Sequence, residues 1–183
     1  GKILWRDNTY ESFDITGTVR GITPEFNPCD GTETLAYRNQ RVKVVDVNNS
    51  DATDTLSGAF LLSVPDSIPT LIDMKLIGRN PVNWIRVDNV QGADAVDTIL
   101  ATPGVPVDFV WDDSNARLDE RSAWVHANRA HDFVKSVDPT FTGMDFQAFM
   151  NVNTPPGEDC PGNAFCVGGG AIFCAASLNF ANT

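Results

Sequence analysis

Polar and apolar residues alternate in short runs from Glu11 to Asn89, and turn-forming residues separate the runs. Ser12 to Gly21 places Phe13, Ile15 and Val19 on one face, a two-residue period that predicts a half-buried strand. Arg41 to Val47 starts in the same way, then loses register at Val44-Val45, where a β-bulge is predicted. Asn48 to Asp51 reads as a turn. Gly58 to Val64 aligns Phe60, Leu62 and Val64, Thr70 to Ile77 aligns Ile72, Met74 and Leu76, and Trp84 to Asp88 closes the set. Short alternating strands at this spacing predict a small antiparallel β-sandwich over residues 1–92. The Thr23 to Tyr37 stretch, with Cys29 and three acidic residues, reads as a long solvated loop or a ligand loop.

The pattern changes after a Gly-, Ala-, Asp- and Pro-containing stretch at Gln91 to Pro106, and residues 93–183 form the second predicted unit. Val105 to Trp111 predicts a strand, and Asp112 to Asn115 supply caps for a helix over Leu118 to Val137. Ala123, Ala127, Ala130, Val134 and Val137 recur at helical spacing beside Trp124, so they form its expected apolar face. Asp138-Pro139 stops the helix, because the residue before proline avoids the α region. Phe141 to Val152 reads as strand-rich. Ala164 to Val167 and Ala171 to Cys174 read as the strands of an edge hairpin turned by Gly168-Gly-Gly170. Asn179 to Thr183 reads as the loop and N-cap of a further helix, as in a fragment of a longer polypeptide. The expected fold is therefore mostly β, with an α+β second half.

Composition narrows the function classes. A net charge of -11, with 13 Lys plus Arg and no basic cluster, argues against binding to a nucleic-acid backbone. No apolar window reaches the roughly 18 residues of a membrane span. Gly1 to Asp7 turns polar too soon for a signal-peptide core, so it reads as mature sequence. The four cysteines, Cys29, Cys160, Cys166 and Cys174, match no zinc or thioredoxin-like spacing. At least one disulfide, and hence an oxidising extracellular compartment, is the expectation. Cys166 with Cys174 and Cys160 with Cys166 are both candidate pairs.

Candidate chemistry is sparse. His126 and His131 lie five residues apart, roughly 140° around a helix, whereas two zinc ligands on one helix need i, i+4 spacing. His131 is expected in the core and His126 partly exposed. Asp112, Asp113, Asp119 and Glu120 leave room for calcium, although acids are also favoured in a first helical turn. Neither G-x-S-x-G nor a phosphate-binding G-x-x-x-x-G-K-[ST] loop occurs.

Two resemblances carry more content. The strand order with Thr53-Asp54, Gly58-Ala-Phe60 and Gly78 resembles a transthyretin-like or carboxypeptidase-regulatory β-sandwich, a module without catalytic residues. Three later segments together resemble the N-terminal part of a thermolysin-like zinc metallopeptidase domain of the fungalysin type. These are the Ser122 to Val134 helix with Asn128-Arg-Ala-His-Asp132, the Asn163-Ala-Phe165 strand, and Asn179-Phe-Ala-Asn-Thr183. The resemblance implies that Asn163, Ala164 and Phe165 hold an extended peptide substrate along a strand edge. For Asn163 a turn role after Pro161-Gly162 is the alternative. No His-Glu dipeptide occurs, so the family's H-E-x-x-H zinc motif is missing and the chain alone carries no cofactor.

Two functions are therefore expected to compete. One is an N-terminal fragment of a secreted zinc endopeptidase, inactive alone, whose partners are a peptide and the missing catalytic part. The other is a non-enzymatic extracellular protein that self-associates through a reused peptidase lobe.

Overall fold

The computed structural model describes residues 13–24, 31–54, 56–78, 84–155 and 164–174, with the backbone alone at 164–167 and 171–174. The fold is mostly β, with one helix and two mixed sheets among these residues. The first sheet is built on β1 (Phe13–Thr23), which pairs antiparallel with β2 (Glu33–Ala36) and β5 (Ala59–Val64). The second contains β3 (Gln40–Val44), β4 (Ser50–Ala52), β6 (Thr70–Gly78) and β7 (Ile85–Asn89). All pairings among these seven strands are antiparallel, as their alternation predicts. Phe60, Leu62 and Val64 on β5 and Ile72, Met74 and Leu76 on β6 are all buried, in the expected register.

Strands from the far side of residue 92 enter both sheets. β8 (Val96–Ala101) pairs antiparallel with β6, and β9 (Val107–Trp111) pairs parallel with β1. β10 (Ala148–Thr154) pairs parallel with β7 and with β12 (Gly170–Cys174), and β11 (Ala164–Val167) pairs antiparallel with β12. The order across the second sheet is β11-β12-β10-β7-β6-β3-β4. One buried cluster runs from Ile15 and Val19 through Leu62, Met74 and Val87 to Trp111, Trp124 and Val152, so residues on both sides of position 92 share a core.

Helix α1 (Leu118–Val137) packs on β7, β10, β1 and β6, with the bounds its pattern predicts. Asp138 is extended, with φ of -137°, and Pro139 follows. Three expectations are corrected. The Asp112 to Asn115 segment folds as a turn closed by Asp112 and Asn115 side chains, so it does not cap the helix. Arg117 is the N-cap, and Glu120 reaches back to its N–H at 3.1 Å, satisfying one of the donors a helix start leaves open. The buried helix face also differs: Glu120, Arg121, Ala123, Trp124, Val125, Asn128 and His131 are buried, while Ala130 and Val137 are exposed. Polar residues occupy that face because each has a partner across the core, and an apolar periodicity cannot register such partners. Finally, β3 ends at Val44 and its register shift lies between Gln40 and Val42, not at Val44-Val45.

Candidate functional site

The β11–β12 hairpin forms one end of the larger sheet. Its turn is Gly168-Gly169, with Gly169 at φ 93°, a conformation that favours a residue without a Cβ. Gly170 already belongs to β12, and a Cβ there would overlap the Phe149 carbonyl oxygen, so glycine lets β12 lie against β10. Pairing runs Ala164 with Phe173, Phe165 with Ile172, Cys166 with Ala171 and Val167 with Gly170. Among the described residues β11 has β12 as its one partner strand. Among the described residues no strand pairs with its other edge, which carries the backbone N–H and C=O groups of roughly 13 Å of extended chain.

Ala164 and Phe165 thus lie on the sheet edge, whereas Asn163, Cys29 and Cys160 lie outside the described residues, as does the Asn179 to Thr183 helix start. The hairpin register sets Cys166 opposite Ala171, three residues from Cys174. That is roughly 10 Å along the strand, beyond the about 7 Å Cα separation a disulfide spans, so this register does not favour joining Cys166 to Cys174.

The helix carries a second cluster of polar side chains. His131 is buried, as expected, and stacks on Trp84 with ring centroids 4.0 Å apart and planes 9° from parallel. Its Nε2 lies 3.3 Å from Asp145 Oδ1, and its Nδ1 lies 3.6 Å from Asp132 Oδ1. The Lys135 ammonium beside Asp145 holds that carboxyl below its usual range. One turn earlier, the Asn128 carboxamide accepts from Asn39 Nδ2 at 3.0 Å and Trp84 Nε1 at 3.4 Å, and donates to the Trp124 carbonyl at 3.0 Å. His126 is half-buried, and burial followed by the Arg129 charge lowers its pKa. No group of three or more His, Cys, Asp or Glu among the described residues has the arrangement to hold a metal.

The acidic residues near the helix start have protein partners. Asp112 accepts from Ser114, Asp113 pairs with Arg121, and Asp119 pairs with Arg117. Glu120 is buried and accepts the Ala95 N–H at 2.8 Å besides that of Arg117; burial pushes its carboxyl up. Arg121, also buried, donates to the Ile22 carbonyl at the end of β1. These contacts bind the helix start to β1 and to the chain before β8. Sequence reading missed the two that reach across the fold, Glu120 with Ala95 and Arg121 with Ile22, because they join residues 25 and 99 positions apart.

A shallow cavity of about 200 Å³ lies between β2 and α1, with Leu35, Trp124 and Val125 in its wall and Arg38 and Arg129 beside them. It falls below the roughly 300 Å³ at which ligand pockets begin, which makes it a surface depression. No helix among the described residues is long and apolar enough to cross a membrane. Comparison of the chain with protein-family models, curated proteins and solved structures found no match.

Proposed function

We propose that this chain is the peptide-holding lobe of an extracellular thermolysin-like zinc metallopeptidase, with β11 receiving an extended peptide as an added strand. The observation that carries this reading is the position of β11 at the end of the larger sheet, with a single partner strand among the described residues. Main-chain pairing to an open edge binds peptides with little demand on sequence, as an endopeptidase subsite requires. The residues present do not fit the zinc. His126 and His131 are five apart, His131 faces Asp145 and Trp84, and no His-Glu dipeptide exists. No hydrolytic step is therefore assigned to this chain, whose part is to hold and align the peptide. Amide hydrogen exchange at Ala164 to Val167 tests it. A saturating β-branched decapeptide should slow exchange there, and its proline-substituted analogue should not. Unchanged exchange with the first peptide would refute the edge as a binding site.

A second reading, self-association, has its own observation. Leu71 and Leu100 pair across β6 and β8 and are 47% and 65% exposed, with Val96 at 49% on the same strand. Among the described residues β8 has β6 as its one partner strand, and an edge strand bearing exposed apolar residues favours edge-to-edge pairing. On this reading Leu100→Lys converts an oligomer to a monomer in sedimentation velocity, and a wild-type monomer at 100-fold dilution and at high concentration alike would exclude it.

A further inference from the structure

Within the 183 residues one Asn-x-Ser/Thr triplet has a middle residue other than proline, Asn48-Asn49-Ser50. It lies where β3 turns into β4. Lys43 pairs with Ser50, the Val44 N–H donates to the Asn49 carbonyl at 2.9 Å, and Val45 to Asn48 form the loop between. Asp46, at φ 64°, reverses the chain. The two asparagines differ in their commitments. Asn49 donates from Nδ2 to the Ser63 carbonyl at 2.6 Å, which fixes the loop against β5. Asn48 is exposed at the loop tip, and its carboxamide makes no hydrogen bond in the described structure.

We propose that Asn48 is an acceptor site for an N-linked oligosaccharide. A triplet of this kind on an exposed hairpin tip is the setting in which a bulky, hydrated sugar costs the fold nothing. In the reaction Asn48 Nδ2 attacks the anomeric carbon of a polyprenyl diphosphate-linked oligosaccharide. The new C–N bond replaces the C–O bond to diphosphate, the diphosphate leaves, and the amide proton passes to the transferase base. No electrons are exchanged with a redox partner. The site also suits the fold: β4 and β11 are opposite ends of the larger sheet, six inter-strand steps apart along the order, or roughly 29 Å. A glycan at Asn48 therefore projects from the β3–β4 loop tip, far from the β11 strand.

The inference rests on the extracellular part of the proposed function. The test expresses the full chain behind a secretory leader in a eukaryotic cell line and examines total lysate and medium before and after peptide-N-glycosidase. Wild type should run as one glycosylated band that the glycosidase collapses, leaving aspartate at position 48 by mass spectrometry. Asn48→Gln and Ser50→Ala should each abolish the shift, and Ser50→Thr should retain it. Reading the lysate keeps the result valid where a variant is poorly secreted. Unmodified wild type in both fractions, or a shift that survives Asn48→Gln, would overturn the proposal. Peptide-induced protection at Ala164 to Val167, measured on the same preparation, bears on the β11 edge alone, so the two readings fail separately.

Discussion

Asn128→Ala isolates what fastens the helix to the sheet. Asn128 is 2% exposed, and its Oδ1 is shared by the Asn39 carboxamide before β3 and the Trp84 indole before β7. Removing it leaves the buried Asn39 donor without an acceptor, at a cost of about 1–3 kcal/mol, and the long Trp84 contact adds less. Alanine's better helix propensity returns at most about 0.7 kcal/mol. The expected net loss is about 2 kcal/mol, a sizeable share of the roughly 5–15 kcal/mol that stabilises a domain. Urea unfolding followed by tryptophan fluorescence should show a midpoint lower by roughly 1 M with an unchanged slope. The second arm of the cycle is Asn39→Gly, because Asn39 sits at φ 61° and glycine keeps that backbone unstrained. The double variant should be little worse than Asn128→Ala alone, a coupling of about 1 kcal/mol. A loss under about 0.5 kcal/mol, the size of an ordinary surface substitution, or strict additivity would refute this account.

Glu120→Gln tests the buried carboxyl. Because burial raises its native pKa, the native state binds a proton more readily than the unfolded chain. Wild-type stability should therefore fall relative to the variant as pH rises from the ordinary carboxyl range through the raised value, and parallel pH profiles would contradict this. Asp54 is the opposite case. The Ser57 hydroxyl, with the N–H groups of Leu56, Ser57 and Ala59, holds its carboxyl down to about 2. Its contribution is present above the ordinary aspartate range and is lost as pH falls toward 2, so wild type and Asp54→Ala should converge in acid melts. Gly21→Ala places a Cβ in the ring of Tyr37, whose hydroxyl is bonded to Thr23 in the core. A loss of about 1–3 kcal/mol is expected by calorimetry, and an unchanged melting temperature would show that Tyr37 moves aside freely.

The partners of Asn128 and Glu120 are not legible in the sequence. Helical periodicity located the helix to the residue, because Asp138-Pro139 and the run of helix-forming residues are local signals. It placed the buried face on the alanines, because hydropathy scores Glu120, Arg121 and Asn128 as exposed. They are buried since Ala95, Ile22 and Asn39 wait opposite them, and those neighbours are supplied by the fold. The candidate site divides in the same way. The glycine turn and its two strands were legible, but the sheet order that leaves β11 at the end was not.

What the sequence determined by itself was local: the alternation that buries Phe60, Leu62, Val64, Ile72, Met74 and Leu76, the helix limits, the glycine hairpin and the spacing that denies a zinc pair to His126 and His131. Each depends on backbone geometry within a few residues, where steric preference and side-chain period act directly. The tertiary structure alone decided which strands meet. β9 beside β1, β8 beside β6 and β10 beside β7 join segments tens of residues apart, so their pairing follows from burying one shared core. No local preference encodes such a choice, because the free energy that selects it comes from apolar surface removed from water only when the whole chain has closed.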